Sequence, residues 1–314
     1  MAFRRSIMAK KDNADFNRLN SISPKTNTVF NLILFIYGFL CVAPLLLIIT
    51  ASLTDEKMLA IHGYSFIPKN ITTYAYEYIF TNTPQVMTAY GISILVTVVG
   101  TVLGVLVMAL YAFPISRKDF KYQNFFAFFL IFTMLFNGGM VSTYLIGVNV
   151  LNFKDNLWGL IFPYLMNPFS VIILRTFYKT NIPDSLIESA KIDGAGEFTT
   201  FFQIVFPLAL PGIATIAMFS MIRYWNDWFL AALYINEPNL APLPYLLYQL
   251  QTSMQYLLQN SGNIGGRASD VLAKMPSEAA RMAMVVIGVG PIVLTFPFFQ
   301  KYFVKGLTVG AIKG

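Results

Sequence analysis

Residues 188–211 read ESAKIDGAGEFTTFFQIVFPLALP and place a charged, amphipathic segment between two hydrophobic stretches of the chain. Glu188, Lys191, Asp193 and Glu197 surround an apolar stripe in this segment. Charged side chains beside an apolar stripe indicate a position at a membrane surface, where such a segment can bind a water-soluble partner.

The composition indicates a membrane protein. The 314 residues are 56% hydrophobic and 12% charged, well below the charged content of about 25% in an average soluble domain. A helix needs roughly 20 apolar residues to cross a bilayer. The sequence predicts an all-α membrane protein with a transmembrane region over 30–305. Its six transmembrane helices are expected at about 30–52, 87–113, 125–148, 157–178, 207–235 and 282–303.

Basic residues predict the orientation, because Lys and Arg in short loops favour the cytoplasmic side. They concentrate in the N-terminal segment 1–29, in the loop 114–124, in and just before the loop 179–206, and from Lys301 into the C-terminal tail 306–314, where the basic residues are Lys301, Lys305 and Lys313. Both termini are therefore expected to be cytoplasmic, with external loops at 53–86 and 236–281. This topology and contact with anionic lipid explain the net charge of +7 without a nucleic-acid site.

Two spans carry signals of interruption. Asn137-Gly138-Gly139 falls in the middle of the third span, and Pro163, Asn167 and Pro168 fall in the fourth. Such residues expose backbone polar groups, which a membrane protein tolerates only against protein or a water-filled cavity. Both spans are predicted to be broken helices that face a cavity.

The segment that precedes the fifth span is predicted to form a helix, a sharp turn and a second helix. Pro183 suits a helix start, and apolar residues follow it at near-helical spacing. Gly194 can adopt a positive φ angle and turn the chain. An amphipathic helix lying on lipid is the alternative interpretation, but such helices favour Lys and Arg, and this segment is richer in acids.

At this point the chain resembles the permease subunits of ATP-binding-cassette (ABC) importers, whose cytoplasmic loop reads EAA, three residues, Gly, nine residues and I-x-LP. The match here is Glu188-Ser189-Ala190, then Gly194, then Ile204 followed by Phe206-Pro207. The residues Asp193-Gly194-Ala195, Phe201, Pro207-Leu208 and Pro211 are similar to the carbohydrate-uptake branch. The WND at 225–227 and the tail GLTVGAIKG resemble the second, maltose-type permease of that branch. The sequence YWNDWF at 224–229 resembles permeases for oligosaccharides or polysaccharide fragments.

The resemblance implies a type I ABC importer permease fold in a bacterial-type cytoplasmic membrane. It implies coupling through the loop at 183–207 to two ATPase subunits, alongside a second homologous permease and an extracytoplasmic sugar-binding protein. The implied ATPase-coupling residues are Ser185, Glu188, Ala190, Asp193, Gly194 and Ala195. The chain is not expected to be an enzyme or to hold a cofactor, because it lacks a GxxxxGK[ST] phosphate loop, and ATP and Mg²⁺ would be bound by the ATPases. The sequence contains one Cys and one His, which is too few for a Cys/His metal cluster.

Sugars are recognised by aromatic faces and by planar polar groups. The substrate-path candidates are Asn137, Tyr144, Asn167, Arg223, Tyr224, Trp225, Asn226 and Asp227. Helix packing or an interfacial aromatic belt is the alternative role for these residues. Arg223 has two further interpretations: an internal ion pair with Asp227, or a ligand for an acidic sugar.

A transporter driven by an ion gradient is the alternative function. Such proteins often show inverted repeats and buried acid or His relays. Here no repeat is evident, and only Asp227 is a candidate for a buried acid. An intramembrane enzyme is disfavoured, because no nucleophile–base or metal constellation is present.

Overall fold

The computed structural model describes residues 23–82, 84–259 and 277–311. Across these ranges the regular structure is helical, apart from one isolated antiparallel bridge between Thr54 and Ile71. Most of the predicted basic N-terminal segment, residues 1–22, and the last residues of the tail, 312–314, lie outside the described part. The remaining tail residues continue the last helix.

Three helices are long and apolar enough to cross a membrane uninterrupted. They are α1 (Pro24–Ser52), α4 (Gln85–Ser116) and α14 (Ser277–Ala311). Two short helices, α2 (Glu56–His62) and α3 (Tyr74–Asn82), connect α1 to α4. Most of the aromatic-rich stretch NITTYAYEYIF, residues 70–80, lies in α3.

Three further pairs of helices are each long enough to span when taken together, but each pair is bent. They are α5 (Gln123–Leu135) with α6 (Gly139–Asn149) at 109°, α7 (Trp158–Tyr164) with α8 (Pro168–Asn181) at 48°, and α10 (Glu197–Leu208) with α11 (Leu210–Asn226) at 82°. The remaining helices are α9 (Asp184–Ile192), α12 (Phe229–Tyr234), α13 (Leu243–Gln259) and a short 3-10 helix (Pro238–Leu240). If each bent pair counts as one span, the described residues contain up to six spans.

The breaks in the first two pairs have local causes. Asn137 accepts a hydrogen bond at Oδ1 from the Gly139 amide (2.8 Å), and Gly139 has a φ of +81° that favours glycine. Asn167 caps α8 by accepting from the Ser170 amide (3.0 Å), and Pro168 occupies the first turn. The interruptions predicted at these two positions are present.

The region after α11 differs from the sequence prediction of one helix over 207–235. The helix ends at Asn226, and Asp227 is extended, with a ψ of 115°. Its carboxylate accepts a hydrogen bond from the Leu230 amide (3.2 Å), which stabilises the start of α12. A short polar side chain that bonds nearby backbone competes with helix continuation.

The predicted long loop at 236–281 also contains more structure than its polarity suggested. Its described part includes α13. The apolar side of α13 is buried in one core with Ala280 and Met284 of α14, and this side consists of Leu243, Leu246 and Met254. These α13 positions recur at helical spacing, so burial against α14 offsets the weak average hydrophobicity of the segment.

The long helix α4 is central to the bundle, because it packs along both α8 and α11. Its Gly100 lies against the ring of Tyr224, and its Gly104 lies against the backbone carbonyl of Leu165. Close approach at two glycines one turn apart brings α4 against both the α7–α8 pair and α11. At the end of the bundle that carries α9, Phe113 of α4 and Phe201 of α10 share a second core.

Candidate functional site

The helix α9 and the turn that follows it form the predicted helix–turn–helix. The Gly194 amide donates to the Lys191 carbonyl (3.0 Å), and the Ala195 amide donates to the Ala190 carbonyl (2.9 Å). These two bonds are the helix-ending pattern that places a residue with positive φ just after the helix, and Gly194 has a φ of +79°. Glycine at 194 therefore allows the turn without side-chain strain.

The predicted coupling residues do not share one face. Ser185, Glu188 and Asp193 are exposed, and a side chain at Gly194 would meet nothing within 4 Å. Ala195 is half-buried, and Ala190 is only 6% exposed, so its methyl group packs inside the chain. The small size of Ala190 therefore serves internal packing in this structure.

Two apolar residues extend the exposed surface beyond those named from the sequence. Ile192 is 85% exposed at the end of α9, and Phe198 is 72% exposed in the first turns of α10. Together with Glu188 and Asp193 they form an exposed surface of acids and large apolar side chains. We call these four residues the α9 surface.

A set of ion pairs that was not predicted from the sequence joins α9 and α10 to the segment after α4. Arg117, just after α4, bonds to Asp119 through Nε (2.9 Å) and pairs with Glu197 of α10. Lys191 of α9 pairs with the same Asp119. We call these four residues the charged bridge. Its members are up to 80 positions apart in the sequence, so no local pattern could have revealed it.

The hydrogen bond from Arg117, together with that from Lys191, holds the pKa of the Asp119 carboxyl well below its usual range. A carboxyl group with a depressed folded-state pKa stabilises the fold when it is ionised. That contribution is lost only as the pH falls through the depressed value. Asp119 is therefore ionised at neutral pH.

Three substrate-path candidates meet around Tyr164, a residue not singled out from the sequence. The Arg223 guanidinium carbon lies 4.8 Å from the centre of the Tyr164 ring, and the Tyr164 hydroxyl donates to Asp227 (3.0 Å). The Tyr224 ring contacts Tyr164 at 5.8 Å between centroids. Arg223 and Asp227 form no direct ion pair with each other: the carboxylate accepts hydrogen bonds from Tyr164 and from the Leu230 amide.

Two of the aromatic candidates are packing residues in this structure. Tyr224 is buried, and its hydroxyl donates to the Ile161 carbonyl (2.9 Å). Trp225 is buried against α14, and its Nε1 donates to the Gly288 carbonyl (2.9 Å). Their polar atoms are satisfied inside the chain, which favours the packing alternative for both.

The other candidates are dispersed. Asn226 is exposed and donates to the Ile222 carbonyl (2.9 Å), and Asn137 is exposed at the α5–α6 break. Asn167 is half-buried and caps α8. Tyr144 is half-buried and stacks on Tyr234, with centroids 5.8 Å apart and an interplanar angle of 17°. Tyr144 packs against the same apolar core as Tyr164 and Tyr224, whereas no hydrogen bond in the described part of the chain joins Asn137, Asn167 or Asn226 to the Tyr164 cluster.

These features define a class of protein: a multi-pass helical membrane protein with an exposed helix–turn–helix between two bent pairs of helices. Residues 120–309 match the family described as binding-protein-dependent transport system inner membrane component. The chain belongs to this family.

Curated relatives cover nearly the whole chain. The polygalacturonan/rhamnogalacturonan transport system permease protein YtcP of Bacillus subtilis is 37% identical over 294 residues, which cover 92% of this chain and 99% of the relative. Protein LplC of the same organism is 38% identical over 294 residues, with 92% and 97% covered. The arabinooligosaccharides transport system permease protein AraQ of Halalkalibacterium halodurans is 29% identical, with 88% and 93% covered.

A solved structure supports the same assignment. A chain of a bacterial ABC transporter involved in the import of the acidic polysaccharide alginate matches with a TM-score of 0.75 and 25% identity, over 90% of this chain and 98% of that chain. The protein described here is thus a multi-pass permease subunit of an ABC importer. It is not an enzyme, since ATP hydrolysis in these transporters belongs to partner ATPase subunits. An ion-gradient transporter is not favoured.

Proposed function

We propose that the chain and a second, homologous permease form the path by which an oligosaccharide or polysaccharide fragment enters the cell. Two ATPase subunits, which bind ATP and Mg²⁺, drive the transport, and an extracytoplasmic sugar-binding protein delivers the substrate. The observation that carries the proposal is the exposed α9 helix and Gly194 turn, which holds the residues of the permease signature. The polysaccharide and oligosaccharide relatives support the substrate class.

The proposed topology has six spans with both termini in the cytoplasm. The three uninterrupted helices and the three bent pairs supply these spans. The excess of basic residues on one side supports the orientation, which places α9 in the cytoplasm and α13 outside. The ATPases and α9 are then on the same side of the membrane, as docking requires.

In this proposal the segment Ser185–Gly194 docks in a cleft of an ATPase subunit. Glu188 and Asp193 are exposed acids that can accept charge-assisted hydrogen bonds. Ile192 and Phe198 add apolar area that would be buried by a partner. Closure of the ATPases around ATP would then move the helices between inward-open and outward-open states, through contacts that differ in energy between the two.

The experiment is ATP-driven uptake by the complete transporter in liposomes. The tagged chain is purified with its bound subunits, and labelled trigalacturonate is supplied with the binding protein on one side and ATP on the ATPase side. We expect accumulation only when both ATP and the binding protein are present. Accumulation driven by a proton or sodium gradient without ATP would contradict the proposal and support the alternative function.

We further propose that the substrate is acidic and that Arg223 contacts its carboxylate. Arg223 is exposed, and no acidic side chain among the described residues pairs with it. An unpaired charge within a span is costly unless it faces water or a partner. Its contact with the Tyr164 ring, which Asp227 holds by a hydrogen bond, orients the guanidinium. The similarity to a polygalacturonan/rhamnogalacturonan permease and to a transporter of the acidic polysaccharide alginate supports an acidic sugar.

Arg223→Gln is therefore expected to lower the uptake rate of trigalacturonate about tenfold, since one charge-assisted contact is lost. Arg223→Lys keeps the charge and is expected to retain part of the rate. Arg281→Gln is the matched control, because Arg281 already pairs with Glu278 at 3.0 Å. A wild-type rate for Arg223→Gln would contradict the assignment. A reduced amount of assembled complex would instead indicate that Arg223 pairs with the second permease.

A further inference from the structure

The charged bridge joins three separate parts of the chain at the α9 end of the bundle. Arg117 follows the last turn of α4, Lys191 lies in the last turn of α9, and Glu197 begins α10. Asp119 stands between them and is paired with both Arg117 and Lys191. A displacement of α9 therefore alters charged contacts to the end of α4.

Burial of one member, Arg117, distinguishes this bridge from an ordinary surface ion pair, whereas the side chains of Asp119, Glu197 and Lys191 are 51%, 62% and 44% exposed. The Arg117 side chain is only 9% exposed, and its guanidinium carbon lies 5.3 Å from the centre of the Phe113 ring. Phe113 in turn contacts Phe201 of α10, with centroids 5.5 Å apart. Removal of the carboxylate partners would leave the buried Arg117 charge without compensation, which is costly, so Arg117 favours the arrangement in which Asp119 and Glu197 stay paired with it.

A second ion pair between the same segments lacks these properties. Lys118 and Asp184 are 2.9 Å apart, but both side chains are exposed. Exposed pairs of this kind contribute little, because water screens them and both side chains lose freedom. The chain thus offers a matched control for the charged bridge and its buried Arg117.

The structure also has room for relative motion beside the bridge. A cavity of about 520 Å³ lies between α4 and the α9–α10 segment. Its lining combines apolar residues, such as Leu110, Phe120 and Phe198, with the four residues of the charged bridge. Apolar surfaces around a cavity can slide, whereas charge-assisted hydrogen bonds have preferred directions and fix the relative position of the segments. Farther along α4, Gly100 contacts Tyr224, which contacts Tyr164 beneath Arg223.

We propose that Arg117 and Asp119 are positioning residues that transmit movement of α9 and α10 to α4, and through α4 to the Tyr164 cluster. The inference rests on the proposed docking of α9 on an ATPase subunit. Without the bridge, α9 still docks and ATP is still hydrolysed. However, α9 and α10 then move into the adjoining cavity, and α4 does not move with them. The bridge therefore determines how much substrate is imported for each ATP hydrolysed.

The test measures ATP hydrolysis and trigalacturonate uptake in the same liposomes that contain the complete transporter. Arg117→Met, Asp119→Asn, Glu197→Gln and the double variant Arg117→Met/Glu197→Gln are compared with the wild type. We expect ATP hydrolysis to persist and the ATP used per sugar to rise about threefold or more in each single variant. The double variant should resemble Arg117→Met, because residues acting through one contact are not additive. Lys118→Met should match the wild type.

Asp119→Asn keeps the shape of the side chain and provides the result if Arg117→Met fails to assemble. An unchanged ratio of ATP to sugar in Asp119→Asn overturns the inference, as does an equal rise in Lys118→Met. Parallel loss of hydrolysis and uptake also overturns it, because this outcome indicates a structural role. A wild-type transporter that takes up sugar without ATP overturns the proposed function and the inference together.

Discussion

Gly194→Arg is expected to abolish ATP-dependent uptake while the chain stays in the membrane. Gly194 has a φ of +79°, which residues with a Cβ adopt only at a cost, so any larger residue strains the end of α9. Nothing within 4 Å would clash with a new side chain, so the fold itself is spared. The arginine would project from the surface proposed to enter the ATPase cleft. Loss of a central contact there costs about 2 kcal/mol or more, roughly a 30-fold loss of affinity.

Uptake in whole cells and the amount of chain in isolated membranes are the two measurements. Gly194→Asn is the control, since Asn is small and tolerates positive φ better than most residues other than glycine. It should retain most of the uptake. Normal uptake by Gly194→Arg would contradict the docking role of the turn, and loss of the chain from the membrane would indicate a folding defect.

Glu188→Lys tests the same surface through charge alone. Glu188 is exposed, and no hydrogen bond or ion pair to it is found in the described part of the chain, so its replacement should leave folding unchanged. We expect Glu188→Lys to abolish uptake, and we expect the ATPase subunits no longer to copurify with the chain. Glu188→Gln keeps the size and should give an intermediate effect. Copurification at the wild-type level by Glu188→Lys would contradict the proposed role.

The parts of the structure that follow from local chemistry could be predicted from the sequence. Gly194 marks the turn after α9, and Asn137 and Asn167 mark breaks in two spans, because each acts through its own backbone angles or through amides two or three residues away. The ATPase-coupling roles and the topology remain predictions.

Features that depend on distant partners could not be predicted in this way. The buried Tyr224 donates a hydrogen bond to Ile161, and the buried Trp225 donates one to Gly288. Each acceptor is 63 positions away in the sequence. From the sequence these two aromatics were indistinguishable from sugar-binding residues. The charged bridge has the same origin, since Arg117 in a loop that looks merely basic finds Glu197 across the fold. The early end of α11 depends on Asp227, whose side chain bonds both locally to Leu230 and distantly to Tyr164.

Gly100→Leu is expected to destabilise the whole bundle. A Cβ at position 100 would lie 2.5 Å from Cζ of Tyr224, closer than packed atoms allow. The Tyr224 ring cannot move aside easily, because it is buried, its hydroxyl bonds to Ile161 and its edge contacts Tyr164. The helices α4 and α11 must therefore separate, and overpacking of this kind costs about 1–3 kcal/mol or more. The melting temperature of the purified chain in detergent should fall by several degrees, as roughly expected from such a loss.

Gly91→Leu is the matched control for this prediction. Gly91 lies on the same helix, and a side chain there would meet nothing within 4 Å. Both substitutions replace a helical glycine with a better helix former, so the gain in helix propensity is shared and only the contact with Tyr224 differs. Gly91→Leu should melt at or above the wild-type temperature. If Gly100→Leu has the same melting temperature as Gly91→Leu, the Tyr224 ring moves aside for the new side chain. In that case the close approach of α4 and α11 is not what holds Tyr164 and Arg223 in place.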